Sequence, residues 1–288
     1  KVCGVDPAQL PAKIAMEKDI LTINSFFNLE TSNKIISKFG QADLITSQNV
    51  LAHVDNLRDT FNNIYRLLKN KGFFVFEIGY FRRVLELGCF DTIYHEHLDY
   101  HHGAPLVRFL SSIGFDVLNL EVNNIQGGSL RLLLKKTGKG NISKQAQNFL
   151  EIEKKSILHD KKYLQQWSKK ISNICKCLED VTKKLLDKNT LFYAYGSPTK
   201  ATLLLKMNTF LEGKIRFVVE DNKNKVGKFL PRNGLPICDL KTLDFKKTAV
   251  IIILAWNFSD DIISKLKKLY KVKVKVIIPL PELKVLEI

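Results

Sequence analysis

Apolar and polar positions follow two alternating rhythms along the first half of the chain. Short apolar runs bounded by turn residues predict strands at Val2–Val5, Ile20–Ile23, Ala42–Thr46 and Phe73–Ile78. Between them, apolar residues at three- and four-residue spacing predict helices over Leu10–Lys18, Thr31–Phe39 and Asn56–Leu68, the last stopped by Lys71-Gly72. Strands and helices in alternation imply an open parallel α/β sheet. A helix over about Pro105–Ile113 follows. Two strands then lie close together, Asp116–Val122 and Ser129–Lys135, joined across the turn Gln126-Gly127-Gly128.

Gly138-Lys139-Gly140-Asn141 is the best boundary, dividing the chain into residues 1–140 and 141–288. From Ser143 to Leu186 the pattern is helical, with Phe149, Ile152, Leu164, Trp167, Ile171, Ile174 and Leu178 at helical spacing. That span predicts two helices or one long connector. A second α/β unit follows: strand Leu191–Tyr195, a helix opened by Ser197-Pro198, strand Ile215–Val219 ending at Glu220-Asp221, strand Ala249–Leu254, helix Asp260–Tyr270 and a last strand Lys273–Ile278.

Composition narrows the class. A chain of 288 residues with 45% hydrophobic content has room for two soluble cores. Its longest apolar run, Ala249–Trp256, is strand-sized, so neither a membrane span nor a secretory signal is expected. The five cysteines are scattered, and Cys175-Lys176-Cys177 fits neither a zinc knuckle nor a redox motif; reduced thiols in a cytoplasm are expected. The net charge of +16 comes mostly from lysine without aromatic interleaving, which suits solvated helix faces better than a nucleic-acid surface. The chain opens at Lys1, inside a predicted strand and without an initiator methionine, and reads as a fragment whose first element lies upstream.

Candidate chemistry sits first at strand ends, where ligands of open α/β sheets bind. Asp6 ends a strand and could accept the hydroxyls of a ribose or simply cap the next helix. Gln48-Asn49 could line the same cleft. In Ser197-Pro198-Thr199-Lys200, a capped helix start with a lysine in its first turn suits an anion, or is an ordinary capped helix. The stretch Asp91–His102, DTIYHEHLDYHH, holds four of the six histidines. Metal ligation, proton transfer and polar filler compete there. His97 and His101 have four-residue spacing, but Gly103 and Pro105 disfavour a helix through both, so no metal is expected. Proton transfer is favoured: an imidazole titrates near neutrality, and a neighbouring carboxylate orients and tunes it.

Taken together, these residues resemble the S-adenosylmethionine-dependent sugar C-methyltransferases that act on nucleotide-linked keto-deoxysugars. The resemblance rests on Gly4-Val5-Asp6-Pro7-Ala8, Asn49–Val54, Phe90–His97, Gly127-Gly128-Ser129-Leu130-Arg131, Tyr195–Lys200 and Leu254–Phe258. A parallel sheet closed by an antiparallel pair is also the methyltransferase variant of the Rossmann architecture, although hairpins end many mixed sheets. The resemblance implies a class I methyltransferase domain incomplete at its N-terminus, then a helical connector and a Rossmann-like domain that helps hold the nucleotide sugar. The family's cysteine-rich zinc module and its glycine-rich cofactor loop have no counterpart in this segment. The resemblance further implies that His97 is the base, with Tyr94 and Glu96 positioning substrate or imidazole, and His95, His101 and His102 at the structure or rim. Asp6 would hold the adenosine ribose of S-adenosylmethionine, Phe26 would lie by the adenine and Asn49 would line the methyl-donor cleft. Gln126, Ser129, Tyr195 and Lys200 would face the nucleotide-diphosphate keto-sugar; Gln126 stands where the family usually has histidine.

Two other readings remain open. One is a nicotinamide-dependent oxidoreductase with Glu220 or Asp221 on a ribose, which lacks a G-x-G-x-x-G fingerprint here. The other is a non-catalytic module that binds nucleotide sugars.

Overall fold

The expected alternation is present in the computed structural model, which describes residues 1–244, 249–270 and 272–288. In chain order, β1 (Gly4–Val5) leads to α1 (Gln9–Met16), β2 (Thr22–Ile23), α2 (Leu29–Phe39), β3 (Ala42–Gln48), α3 (Leu57–Leu67), β4 (Leu68–Gly79), α4 (Phe81–Leu87), α5 (Gly103–Ile113), β5 (Phe115–Asn123), β6 (Ser129–Lys136) and α6 (Lys144–Lys154). There follow α7 (Lys161–Leu185), β7 (Leu191–Tyr195), α8 (Ala201–Lys206), α9 (Thr209–Glu212), β8 (Ile215–Val219), β9 (Ile237–Cys238), β10 (Ala249–Ile253), α10 (Ser259–Leu269), β11 (Lys275–Ile278) and β12 (Lys284–Glu287).

These elements form two units. The first comprises Lys1–Tyr80, Leu98–Asn123 and Ser129–Lys155; the second comprises Phe81–His97, Asn124–Gly128 and Ser156–Ile288. The expected division after residue 140 therefore falls differently. Helix α6 joins the first unit because Ala146 is buried in its core and Phe149 and Leu150 pack on it. The segment before His97 joins the second unit because Cys89 and Phe90 are buried in that core.

In the first unit, local chemistry sets the helix starts. The Asn28 side chain accepts from Thr31 N–H before α2, and the Asn56 side chain accepts from Asp59 N–H before α3. Helix α3 buries Phe61, Ile64 and Leu67, and the Phe61 ring meets Phe74, Phe76 and Phe109 edge-on. The sheet order is β3-β4-β6-β5, with β3 parallel to β4 and the other two pairings antiparallel. The anticipated closing pair is thus in place, with β6 between β4 and β5. Strand β4 is longer than expected. Lys71-Gly72 does not stop a helix there; it forms an irregularity inside the strand, with Lys71 at φ 65° and a register shift on β3 between Ala42 and Leu44. Strands β1 and β2 pair in parallel as a separate two-stranded sheet, so β3 is an edge among the described residues. Leu10, Ile14 and Met16 of α1 and Leu44 of β3 are exposed.

The second unit is built on the order β12-β11-β10-β7-β8-β9, parallel except for the β11–β12 pair. Its central strand β10 is apolar throughout and wholly buried, as a parallel strand covered on both faces requires. Helix α7 lays Trp167, Ile171 and Ile174 on this core and buries Leu178. Strands β9 and β12 escaped the sequence pattern: β9 is two residues long, and β12 is a four-residue edge with every residue exposed. The helix expected to open at Ser197-Pro198 begins at Ala201.

One buried carboxylate ties α6 to the rest of the first unit. Glu153 accepts from the N–H groups of Gly103 and Ala104 at the start of α5, at 2.7 and 2.8 Å, and from Tyr80 OH at 2.9 Å, with His102 Nδ1 3.2 Å away. Burial alone would raise its carboxyl, but these donors outweigh burial and hold it below the ordinary value. A depressed folded value contributes stability above the ordinary glutamate range that is lost as pH falls through the folded value. Glu153→Gln is therefore expected to destabilise the first unit by about 2–3 kcal/mol at neutral pH. The gap to wild type should close on acidification below the ordinary carboxylate range. Urea melts at a series of pH values would check both.

Candidate active site

In the first unit, three strand ends carry the residues expected to meet a cofactor. Asp6 follows β1, and its Oδ1 accepts from Ala8 N–H at 2.8 Å, an Asx turn leading into α1. Phe26 lies just beyond β2, 73% exposed, and its carbonyl accepts from Thr31 Oγ1. The two loops are joined by Asn24, whose Nδ2 donates to the carbonyls of Asp6 and Pro7 at 3.0 Å each. Sequence reading missed Asn24; its signal was a short polar side chain directly after a strand. Asn49 follows β3 in left-handed backbone, φ 52°, with its N–H on the Glu77 carbonyl at 2.9 Å. Asparagine tolerates that conformation, and such residues gather where ligands are held. An exposed aromatic face, a carboxylate with one oxygen engaged and an amide, all at the carboxyl ends of strands, suit an adenosine-containing ligand.

The histidine cluster is divided between the two units. His101 forms a backbone bridge to Tyr80, and burial lowers its pKa; His102 faces Glu153. His95 and His97 lie in the second unit, in a turn closed by the bond from His97 N–H to the Tyr94 carbonyl at 3.0 Å. The half-buried His97 ring lies 4.4 Å from the Tyr94 ring, centroid to centroid. Its Nδ1 is 2.7 Å from the Thr92 carbonyl. A carbonyl only accepts, so Nδ1 carries the proton, and the neutral ring has its lone pair on Nε2. Glu96 is exposed on the same turn.

Immediately before that turn, Asp91 is fully buried. Its Oδ2 accepts from Trp256 Nε1 at 2.6 Å and lies 3.8 Å from Lys200 Nζ. Burial pushes the Asp91 carboxyl up, and the Lys200 charge offsets part of this; burial likewise pushes the Lys200 ammonium down, offset by Asp91. Lys200 Nζ also sits 3.7 Å from the Trp256 ring centroid and donates to Asn257 Oδ1 at 2.9 Å. Lys200 is thus held by Asp91, Trp256 and Asn257. Asn257 Nδ2 in turn donates to Gln126 Oε1 at 2.9 Å. Gln126 is exposed with φ 55°, and a Cβ on the following Gly127 would lie 2.8 Å from the Trp256 ring, so glycine is required there. Ser129, expected on the substrate, is fully buried at the start of β6, where its neighbours across the sheet are Gly79 and Asn123.

The Ser197 end of the same stretch has an internal acceptor. Ser197 N–H and Oγ both donate to Glu220 Oε2, at 2.9 and 2.6 Å, while the N–H groups of Asp221 and Asn222 donate to Oε1 at 3.0 Å. The anion at this turn is the chain's own Glu220. Burial raises its carboxyl, but these donors and Lys225 outweigh that and hold it below the ordinary value. Tyr195 is buried with its hydroxyl on Asp221 at 3.0 Å; burial and the Asp221 charge raise its pKa. Tyr195, Ser197, Glu220, Asp221, Phe258 and Lys265 border a cavity of about 370 Å³ at the carboxyl ends of β7 and β8. A carboxylate already bonded to four internal donors is unsuited to holding a ribose, which weighs against the nicotinamide reading.

Parallel strands closed by the antiparallel β5–β6 pair define the class I, S-adenosylmethionine-dependent methyltransferase fold, and residues 1–120 match the family model of a methyltransferase domain. Residues 124–281 match the C-methyltransferase C-terminal domain, and the chain belongs to that C-methyltransferase family. The C-methyltransferase NovU of Streptomyces niveus is 25% identical over 287 residues, covering 99% of this chain and 68% of that protein. Among solved structures, the N-methyltransferase NodS of Bradyrhizobium japonicum with S-adenosyl-L-homocysteine aligns at a TM-score of 0.33 and 13% identity, over 47% of this chain and 66% of that one. A Listeria monocytogenes protein described as an S-adenosylmethionine-dependent methyltransferase aligns at 0.37 and 14%, over 48% and 80%. Among the described residues, no helix is long and apolar enough to cross a membrane.

Glu220→Ala is expected to leave Ser197 and the Asp221–Asn222 amides without their acceptor, costing about 2–4 kcal/mol. Added nicotinamide dinucleotide should not stabilise the wild-type protein in a thermal melt.

Proposed function

We propose that this C-methyltransferase moves a methyl group from S-adenosylmethionine to a carbon beside the ketone of a nucleotide-diphosphate-linked keto-deoxysugar. The carbon acceptor class rests on family membership and the sugar on the resemblance of the Phe90–His97 and Gly127–Arg131 motifs. The observation that carries the proposal is the bond between His97 Nδ1 and the Thr92 carbonyl. It puts the basic lone pair on Nε2, as a base that removes a carbon-bound proton needs. His97 takes the α-proton, the electrons of that C–H bond pass into an enolate, and Tyr94 and Glu96 position ring and substrate. The enolate carbon then forms its bond to the methyl group as the sulfur–methyl bond breaks. Bound S-adenosylmethionine supplies the electrophilic methyl. Asp6 is assigned to its ribose, Phe26 to its adenine and Asn49 to the lining of its cleft. On the sugar side, the exposed Gln126 amide keeps a donor and an acceptor where a histidine would titrate.

In the full-length protein, His97→Asn should keep S-adenosylmethionine affinity within about twofold and lower methyl transfer by about 10²–10⁴-fold. Calorimetry and mass detection of the methylated sugar would read the two. Wild-type turnover by the variant would remove His97 as the base.

A further inference from the structure

The Thr92 carbonyl orients His97 only if it is itself held still, and what holds it is unusual. Thr92 closes a single 3₁₀ turn, Phe90–Thr92, with its N–H and hydroxyl both on the Cys89 carbonyl at 3.2 and 2.9 Å, and Ile93 N–H on the Phe90 carbonyl at 3.0 Å. Cys89 and Phe90 anchor this turn in the apolar core of the second unit, where burial pushes the Cys89 thiol up to about 12. Between them and Thr92 stands the carboxylate of Asp91. A lone buried carboxylate is costly, and the surroundings answer it from one side only: Oδ2 has the indole N–H of Trp256 and faces Lys200, while Oδ1 has no hydrogen-bond partner among the described residues. An apolar residue would fill that position at less cost. Trp256 follows β10 and Lys200 follows β7, so the turn, which backbone hydrogen bonds from Cys89 and Phe90 join to Val84 and Gly88, is also tied to two strand ends. Every group named lies in the second unit.

We propose that Asp91 is a positioning residue for His97: clamped between the Trp256 indole and the Lys200 ammonium, it fixes the Phe90–Thr92 turn so that the Thr92 carbonyl keeps the imidazole proton on Nδ1. It acts through the backbone and touches no reacting atom. This rests on the reading of His97 as the base, but its structural half, the tautomer, is measurable without turnover.

The test uses the full-length protein with ¹⁵N-labelled histidine. The His97 ring signals are identified as those missing from His97→Asn. Two variants loosen the clamp: Asp91→Asn keeps an acceptor for the indole but removes the charge, and Trp256→Phe keeps an aromatic face under Lys200 but removes the donor. Either one that folds, by circular dichroism, suffices. The expected result is a wild-type ring in the Nδ1–H form at a pH where it is neutral, and a variant ring whose two nitrogens move toward averaged shifts. kcat should fall about 10–100-fold with KM changed less than about threefold. A folded variant that keeps the wild-type tautomer overturns the proposal, whatever its activity. A variant with a mixed tautomer and wild-type kcat upholds the clamp and instead removes His97 as the base.

Discussion

Much of the second unit is organised around one hydrogen bond, from the Trp256 indole to the Asp91 carboxylate at 2.6 Å. A carboxylate with no access to water must be paired or give up its charge. The pairing group here, Lys200, is itself buried and itself in need of an anion, and the Trp256 ring serves both members by donating through its edge and offering its face. Remove any one and the other two are left in an environment that does not suit them. Asn257 extends the same arrangement to the loop at Gln126, where Gly127 is needed because the Trp256 ring leaves no space for a side chain.

The histidines show how proximity in sequence conceals a division of labour. Four imidazoles within a dozen residues suggest a shared site, yet two belong to the first unit. There His101 is half-buried and His102 faces a glutamate that also caps a helix. His97 is set apart by a backbone carbonyl, that of Thr92, at its Nδ1. A carbonyl cannot give or take a proton, so it selects a tautomer without competing in the chemistry.

The strand and helix pattern was legible because each element's periodicity reports which face it buries: β10, α2, α3 and the β5–β6 pair lie close to where their apolar residues put them. What the sequence left open depended on partners distant along the chain. Lys200 in the first turn of a helix suggests a bound anion, and the anion is Asp91, more than a hundred residues earlier. Ser197 suggests the same, and its anion is Glu220. The boundary placed at Gly138–Asn141 followed composition, but α6 is claimed by the first unit through Ala146 and through Glu153, which a helical pattern would assign to a solvated face. β12 was invisible because a four-residue edge strand with every residue exposed carries no core signal.

Glu220 has a wider meaning. The amides after β7 and β8 form a cradle of the kind that grips phosphate in many nucleotide-binding proteins, and here a side chain of the same polypeptide fills it. A tethered carboxylate is present at an effective concentration that dissolved anions rarely match. The cradle therefore acts as a permanent internal brace. A dissolved anion would have to displace Glu220 from four internal donors to bind there.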